Sequence, residues 1–415
     1  MFIKPKQAQQ IAPIIQDAEF QGPSLWEVEG LKFADTIGSA STKRKRRGRR
    51  RGLKPLEVLL DGLADGPSGF AVHLRDWARH LDNYGVKVYI PEHRACEYPE
   101  VAKLKKTKVE RPIEILNYPG CSFHPKNPDR YVIGYSVFET LKFPHIFKKN
   151  AEDVDELWCA SQFCYDRFVE VEIPKEKIRV IPEGVDTTKF HPYVPPLIKQ
   201  SSTMRFLNIC GYSERKGMRT LISAFLKEFD SKEDVELWVF GGWYSEQKAQ
   251  EEIDELKRGI QKAAFPKILL DWSDRNDEVM PGLFNSFDAL ALPSKGEGYG
   301  RPLAECAACE IPVITTDYAP MNEIITKDTG YLVDVDHLGP EPRADWICDL
   351  YKGADFVHPS EESLRAQMRS VYEDYEKAEE KAKRGREYII QHHNTATNVE
   401  KAITRLQEIQ DSLIR

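Results

Sequence analysis

From about residue 55 onward, short continuous apolar runs alternate with stretches whose apolar residues recur every three to four positions. Continuous runs of this length predict strands buried on both faces, and the 3.6-residue period predicts the helices that cover them. A first series consists of LEVLLDGL (56–63), VKVYIPE (86–92), IEILNY (113–118), YVIGYSV (131–137), ELWCAS (156–161) and IRVIPEGV (178–185). The turn ADGPSG leads from its first strand into an amphipathic helix, FAVHLRDWARHLDNYG. FHPYVPPLIKQSS (190–202) then breaks the pattern and reads as a linker.

A second series follows: MRFLNICGY (204–212), VELWVFGGW (235–243), KILLDWS (267–273), FDALALPS (287–294), PVITTDY (312–318) and GYLVDV (330–335). Helical stretches separate most of these strands, and charged helices from about 361 to 414 close the chain. The predicted class is α/β: two doubly wound Rossmann-like domains facing a central cleft, where such folds take ligands. The expected divisions are an N-terminal extension (1–52), an N-terminal domain (53–195), a C-terminal domain (196–395) and a last helix (396–415) that is a candidate to pack back on the first domain.

Composition narrows this only a little. At 415 residues the chain exceeds one ordinary core, which suits two domains. No apolar run is long enough to cross a bilayer, and Pro and Asp interrupt the first twenty residues, unlike a secretory signal. Eight scattered cysteines without framework spacing fit reduced thiols, and a cytoplasmic location is expected. The net charge of −7 hides KRKRRGRRR (43–51), whose eight positive charges leave −15 for everything else. That tract reads either as a solvated, flexible arm or as a handle for nucleic acid or anionic membrane.

The chemistry concentrates in PSKGEGYGRPLAE (293–305), where Glu297 and Glu305 are separated by seven residues. Glu297 sits among Gly296, Gly298 and Gly300, which suggests close approach of a ligand to the backbone. Glu305 follows Pro302, a residue suited to a first helical turn. A carboxylate there would be kept ionised by the helix dipole and could accept from a ribose diol. An acid/base pair and a two-sided ligand grip are both open at this point. GYSERKG (211–217) links a strand to a helix, with Arg215, Lys216 and backbone N–H groups suited to a phosphate. Gly66 and Gly69 lie in the first strand–helix turn without dinucleotide spacing. CAAC (306–309) has no second pair at zinc spacing, so no metal site is expected.

Together these segments resemble the family 4 retaining glycosyltransferases. PSKGEGYGRPLAECAACEIPVITTD is similar to their E-x7-E segment, GPSGF to their N-terminal glycine loop, IRVIPEGVDTTKFHP to their interdomain segment and RKGMRTLISAF to their diphosphate-binding turn. The resemblance, over roughly residues 55–395, implies a GT-B fold and a nucleotide-diphospho-sugar donor with no required metal or other cofactor. It implies that Glu297 contacts the donor sugar, that Glu305 holds the ribose and that Arg215 and Lys216 neutralise the leaving diphosphate. Gly69, Gly298, Tyr299 and Gly300 would line the donor, and Glu139 in VFET would join the catalytic group. The two glutamates then read as ligand holders.

Tyr212 stands where many relatives carry Arg, Arg301 where an apolar residue is common, and His124 is the nearest candidate for an N-terminal-domain histidine. A transferase to an unidentified acceptor hydroxyl is the leading expectation. Alternatives are a silent scaffold binding nucleic acid through the basic arm, a DNA- or lipid-directed transferase, and a same-fold epimerase or phosphorylase.

Overall fold

In the computed structural model, residues 55–414 are described apart from 111, 125, 243, 274 and 345–348. The extension and its basic tract at 43–51 therefore lie outside the described residues.

The first half begins with β1 (Glu57–Gly62), α1 (Gly69–Asn83), β2 (Lys87–Tyr89) and the single turn α2 (Pro99–Ala102). β3 (Ile113–Asn117), β4 (Val132–Tyr135), α3 (Ile146–Ala151) and β5 (Glu156–Cys159) continue it. α4 (Gln162–Glu170) and β6 (Ile178–Val180) complete it. All pairings are parallel, in the order β2-β1-β3-β4-β5-β6. Ser68 caps α1 by accepting the Ala71 amide, and Trp77 from that helix meets Tyr135 and Trp158 in the core.

The second half starts with β7 (Met204–Ile209), α5 (Met218–Glu228), β8 (Val235–Phe240), α6 (Glu246–Gly259) and β9 (Lys267–Asp271). α7 (Met280–Phe284), β10 (Ala289–Leu292), α8 (Arg301–Ala308), β11 (Val313–Thr316), α9 (Met321–Ile324) and β12 (Tyr331–Val333) follow. Its parallel order is β12-β11-β10-β7-β8-β9. The chain starts at β7, builds outward to β9, then returns to β10 on the other side. The switch point therefore lies between β7 and β10, where a doubly wound sheet opens its crevice.

One feature was not foreseen. β13 (Val335–Pro340) and β14 (Asp355–Pro359) form an antiparallel pair of their own, joined by an excursion over 341–354. α10 (Glu361–Glu373), α11 (Tyr375–His392) and α12 (Thr395–Ile414) end the chain. α12 lies on the first half: Glu400 accepts from Tyr84 at 2.9 Å, and Arg405 pairs with Glu156 of β5.

The halves are tied by polar contacts, one of them buried. Arg75 of α1 reaches Asp277 at 2.6 Å, and the Glu323 carboxylate of α9 accepts the Gln162 and Phe163 amides at 2.9 and 2.8 Å. Glu323 thus serves the open N-terminus of α4 across the interface.

Candidate active site

The site begins where β7 ends. A 3-10 turn, Glu214–Lys216, leads into Gly217, which has φ +71° and would press a Cβ to 2.0 Å from the Pro293 carbonyl. Only glycine permits that approach of the β7 and β10 loops. The approach brings Lys216 Nζ to 2.6 Å from Glu297 Oε1, and Arg215 Nη1 to 3.7 Å from Glu297 Oε2. Arg215 also donates to the Gly296 carbonyl at 2.6 Å and lies 3.7 Å from Glu139 of the first half. Glu297 is buried, which would raise its pKa, but Lys216 and Arg215 prevail and hold the carboxyl below its ordinary range. Burial pulls against the Arg215 charge too, and Tyr351, Glu139 and Glu297 more than offset it. The structure thus gathers Glu297, Lys216, Arg215 and Glu139 at one place, the β7/β10 switch point.

Glu305 belongs to a second cluster on the other side of the same loop. Arg301 opens α8 and is buried, with Nη2 at 2.8 Å from Asp76 of α1 and 3.0 Å from Glu305, and Nη1 at 3.5 Å from Glu183. The Gly69 backbone adjoins it, Arg301 Cδ being 3.9 Å from where a Cβ would stand. The sequence reading kept Glu305 ionised by the helix dipole. The largest influence in the structure is burial, which moves its carboxyl above the ordinary range with Arg301 opposing. Glu183 is pushed up further, to about 7, again by burial against Arg301.

The glycines around Glu297 also need a different account. A Cβ on Gly296 would fall 2.2 Å from the Glu139 carbonyl, and one on Gly298 would fall 2.5 Å from Val137 Cβ. What approaches this backbone is the chain's own segment 137–139. Gly298 further accepts from Ser161 at 3.0 Å. Gly300 has φ +105° and sits just ahead of α8, so its glycine is required by backbone conformation. Tyr299 is buried with its hydroxyl 3.1 Å from His393 Nδ1, which makes it part of the packing between α8 and α11.

Tyr212 points away from this group: its hydroxyl meets Glu252 of α6 at 3.0 Å and its ring stacks on Tyr244. A cavity of about 680 Å³ opens there, taking in Tyr212, Glu214, Arg219, Tyr244 and Arg343 but neither Lys216 nor Glu297. His124 is half-exposed and lies 3.4 Å from Asp61, near the C-terminal end of β1. Asp61, Glu114 and His124 offer donor atoms within 4.8 Å of one another, but Arg94 and Arg130 already pair with the two carboxylates. Cys306 and Cys309 are buried core thiols whose pKa values are raised by burial.

Several residues at these clusters escaped the sequence reading. Lys295 is buried and bridges Glu214 at 2.6 Å and Glu341 at 2.5 Å. Tyr351 donates to Glu139 at 2.9 Å. His73 on α1 is buried, stacks on Tyr135 at 4.3 Å, and its Nδ1 has no hydrogen-bond partner among the described residues. Of these only Lys295 carried a local signal, as a charge inside an otherwise small-residue loop.

Known structures decide the architecture. A glycosyltransferase from Rickettsia africae superposes with a TM-score of 0.62 at 15% identity, covering 86% of this chain and 99% of that one. Anabaena Alr3699/HepE, solved in complex with UDP and glucose, gives 0.59 at 16% identity, over 85% of this chain and 100% of that one. The fold is GT-B. Residues 204–353, which carry β7 to β13 and the clusters' C-terminal members, match the model of the family described as Glycosyl transferases group 1. A D-inositol 3-phosphate glycosyltransferase of Arthrobacter sp. is 30% identical over 179 residues, 41% of this chain and 40% of that protein. The chain spans about two fifths of the length of the curated relatives it matches. Among the described residues, no helix is long and apolar enough to cross a membrane.

Proposed function

We propose that this chain is a retaining glycosyltransferase of family 4 that moves a sugar from a nucleotide-diphospho-sugar to an acceptor hydroxyl. One observation carries the reading: Lys216 and Arg215 converge on Glu297 at the β7/β10 switch point. Two cations held there by a buried carboxylate suit a departing diphosphate, whose charge grows as the sugar–oxygen bond breaks. Glu297 faces the sugar, and Glu305, across the start of α8, takes the ribose. The leaving phosphate accepts the acceptor's proton on the same face, so the protein supplies position and charge and no nucleophile. Neither metal nor other cofactor takes part.

A calorimetric titration of UDP, GDP and ADP into wild type and Glu305→Ala tests this. Arg301 keeps Asp76 and Glu183 in the variant, so the fold has no orphaned guanidinium. UDP is the first to try, because a structural neighbour holds it. Binding of one nucleotide, weakened at least about tenfold by the substitution, is expected from the loss of a charged hydrogen-bond acceptor. No binding by any of the three would sink the reading.

A further inference from the structure

The β13–β14 hairpin and its connecting excursion send two side chains back to the turn that carries Arg215. Glu341 takes Lys295 Nζ at 2.5 Å, and Lys295 reaches Glu214, the residue before Arg215, at 2.6 Å. Ten residues further on, Tyr351 is 4% exposed and donates to Glu139 Oε2 at 2.9 Å. Arg215 lies over the Tyr351 ring, 5.9 Å from its centroid, with Nη2 at 3.7 Å from the other Glu139 oxygen. The excursion therefore grips the turn that carries the arginine through Lys295, and the arginine's side chain through Tyr351.

The grip is fastened to each half of the molecule. Val357 of β14 donates to the Lys295 carbonyl at 3.0 Å, and Lys295 donates its own amide to the Arg215 carbonyl at 2.8 Å. On the other side, Leu141 donates to the Asp355 carbonyl at 2.9 Å, and the Tyr351 ring packs 5.5 Å from Phe138 and from Phe356. Arg215 Nε is buried and has no acceptor among the described residues, so the side chain is held by its neighbours' shape and charge as well as by its own hydrogen bonds. An arginine left free must be ordered when charge develops on a ligand, at a cost in rotamer entropy. One already ordered is worth more in the transition state than in the ground state.

We propose that Tyr351, carried near the end of the connection from β13 to β14, is a positioning residue for Arg215, and that it acts on transfer more than on donor capture. This rests on the reading that Arg215 faces the donor diphosphate. Tyr351→Phe keeps the ring under Arg215 and removes only the hydroxyl that holds Glu139. Tyr351→Leu removes both.

With UDP-glucose as donor, or the sugar nucleotide that titration selects, kcat falls about tenfold in the Phe variant and further in the Leu variant, while donor KM stays within about twofold. Leu338→Ser, on the exposed outer side of β13, is the control that changes neither. A second readout needs no donor: the Arg215 Nε–H resonance, assigned through Arg215→Lys, exchanges slowly with solvent in wild type and faster in Tyr351→Phe. If no nucleotide binds, the functional reading fails with the effect on transfer, and this resonance still decides whether Tyr351 holds Arg215 in place. Unchanged exchange in the Phe variant would overturn it. So would a raised KM with kcat intact, which would make Tyr351 a donor-binding wall.

Discussion

Glu297 and Glu305 lie eight positions apart, both buried, and their environments drive them in opposite directions. Around Glu297 two cations face the carboxylate, and its pKa is lowered. Around Glu305 the Arg301 guanidinium is shared among Glu305, Glu183 and Asp76, which also pairs with Arg79, and both glutamates are raised. Burial acts alike on both glutamates, so the difference comes from the nearest charges: two close cations at Glu297, one shared guanidinium and neighbouring carboxylates at Glu305. The first cluster has positive charge to offer a ligand. The second has none to spare, and its bond from Arg301 to Asp76 crosses between the halves. One end of the loop offers cations to a growing negative charge, and the other also ties the two halves in register through Arg301 and Asp76.

The sharpest way to break that comparison is to take the cation from the acidic cluster. Arg301→Met leaves the buried Glu305 and Glu183 without their guanidinium, while Asp76 keeps Arg79, and the expected loss is about 3–5 kcal/mol of unfolding free energy at pH 7. Urea midpoints at pH 7 and pH 5 check it: the deficit should shrink at the lower pH, which lies below the folded-state pKa of about 7 of Glu183. An equal deficit at both values would mean that Arg301 contributes packing and not charge. At the other cluster, Lys216→Ala should lower turnover by about 10²–10³, the scale of one lost charge-stabilising contact. Full activity with the best donor would remove this cluster from the mechanism.

How much of this was readable in the chain depends on the range of the contact. The strands were legible because parallel strands covered on both faces are continuous apolar runs, and the breaks between runs fall near the observed element ends. Arg215, Lys216 and Glu297 were legible because each sits in a short strand–helix turn whose local composition signals a ligand. The role of Gly296 and Gly298 was not, since the Glu139 carbonyl and Val137 that press on them come from the other half. Arg301 read as a curiosity for the same reason: its partner Asp76 is 225 residues away. The stretch HLGPEPRADW has neither period, and β13 is held by its pairing with β14 and not by its own pattern. Nothing local marks Tyr351 as a neighbour of Glu139.

The smallest expected effect isolates the acidic cluster without dismantling it. Glu183 has a folded-state pKa of about 7, above the ordinary glutamate value of 4.5, because burial outweighs Arg301. Between those two values the native state holds a proton that the unfolded chain has released. Stability therefore declines as pH rises from about 4.5 through about 7, by at most about 3 kcal/mol from this group. Glu183→Gln keeps the shape and removes the titration, while Arg301 retains Asp76 and Glu305. The variant should match wild type near pH 4.5 and exceed it at pH 8, so the difference in urea midpoint grows with pH. A difference that stays flat across that window would mean that Arg301 neutralises Glu183 fully. The contrast with Glu297 would then rest on Glu305 alone.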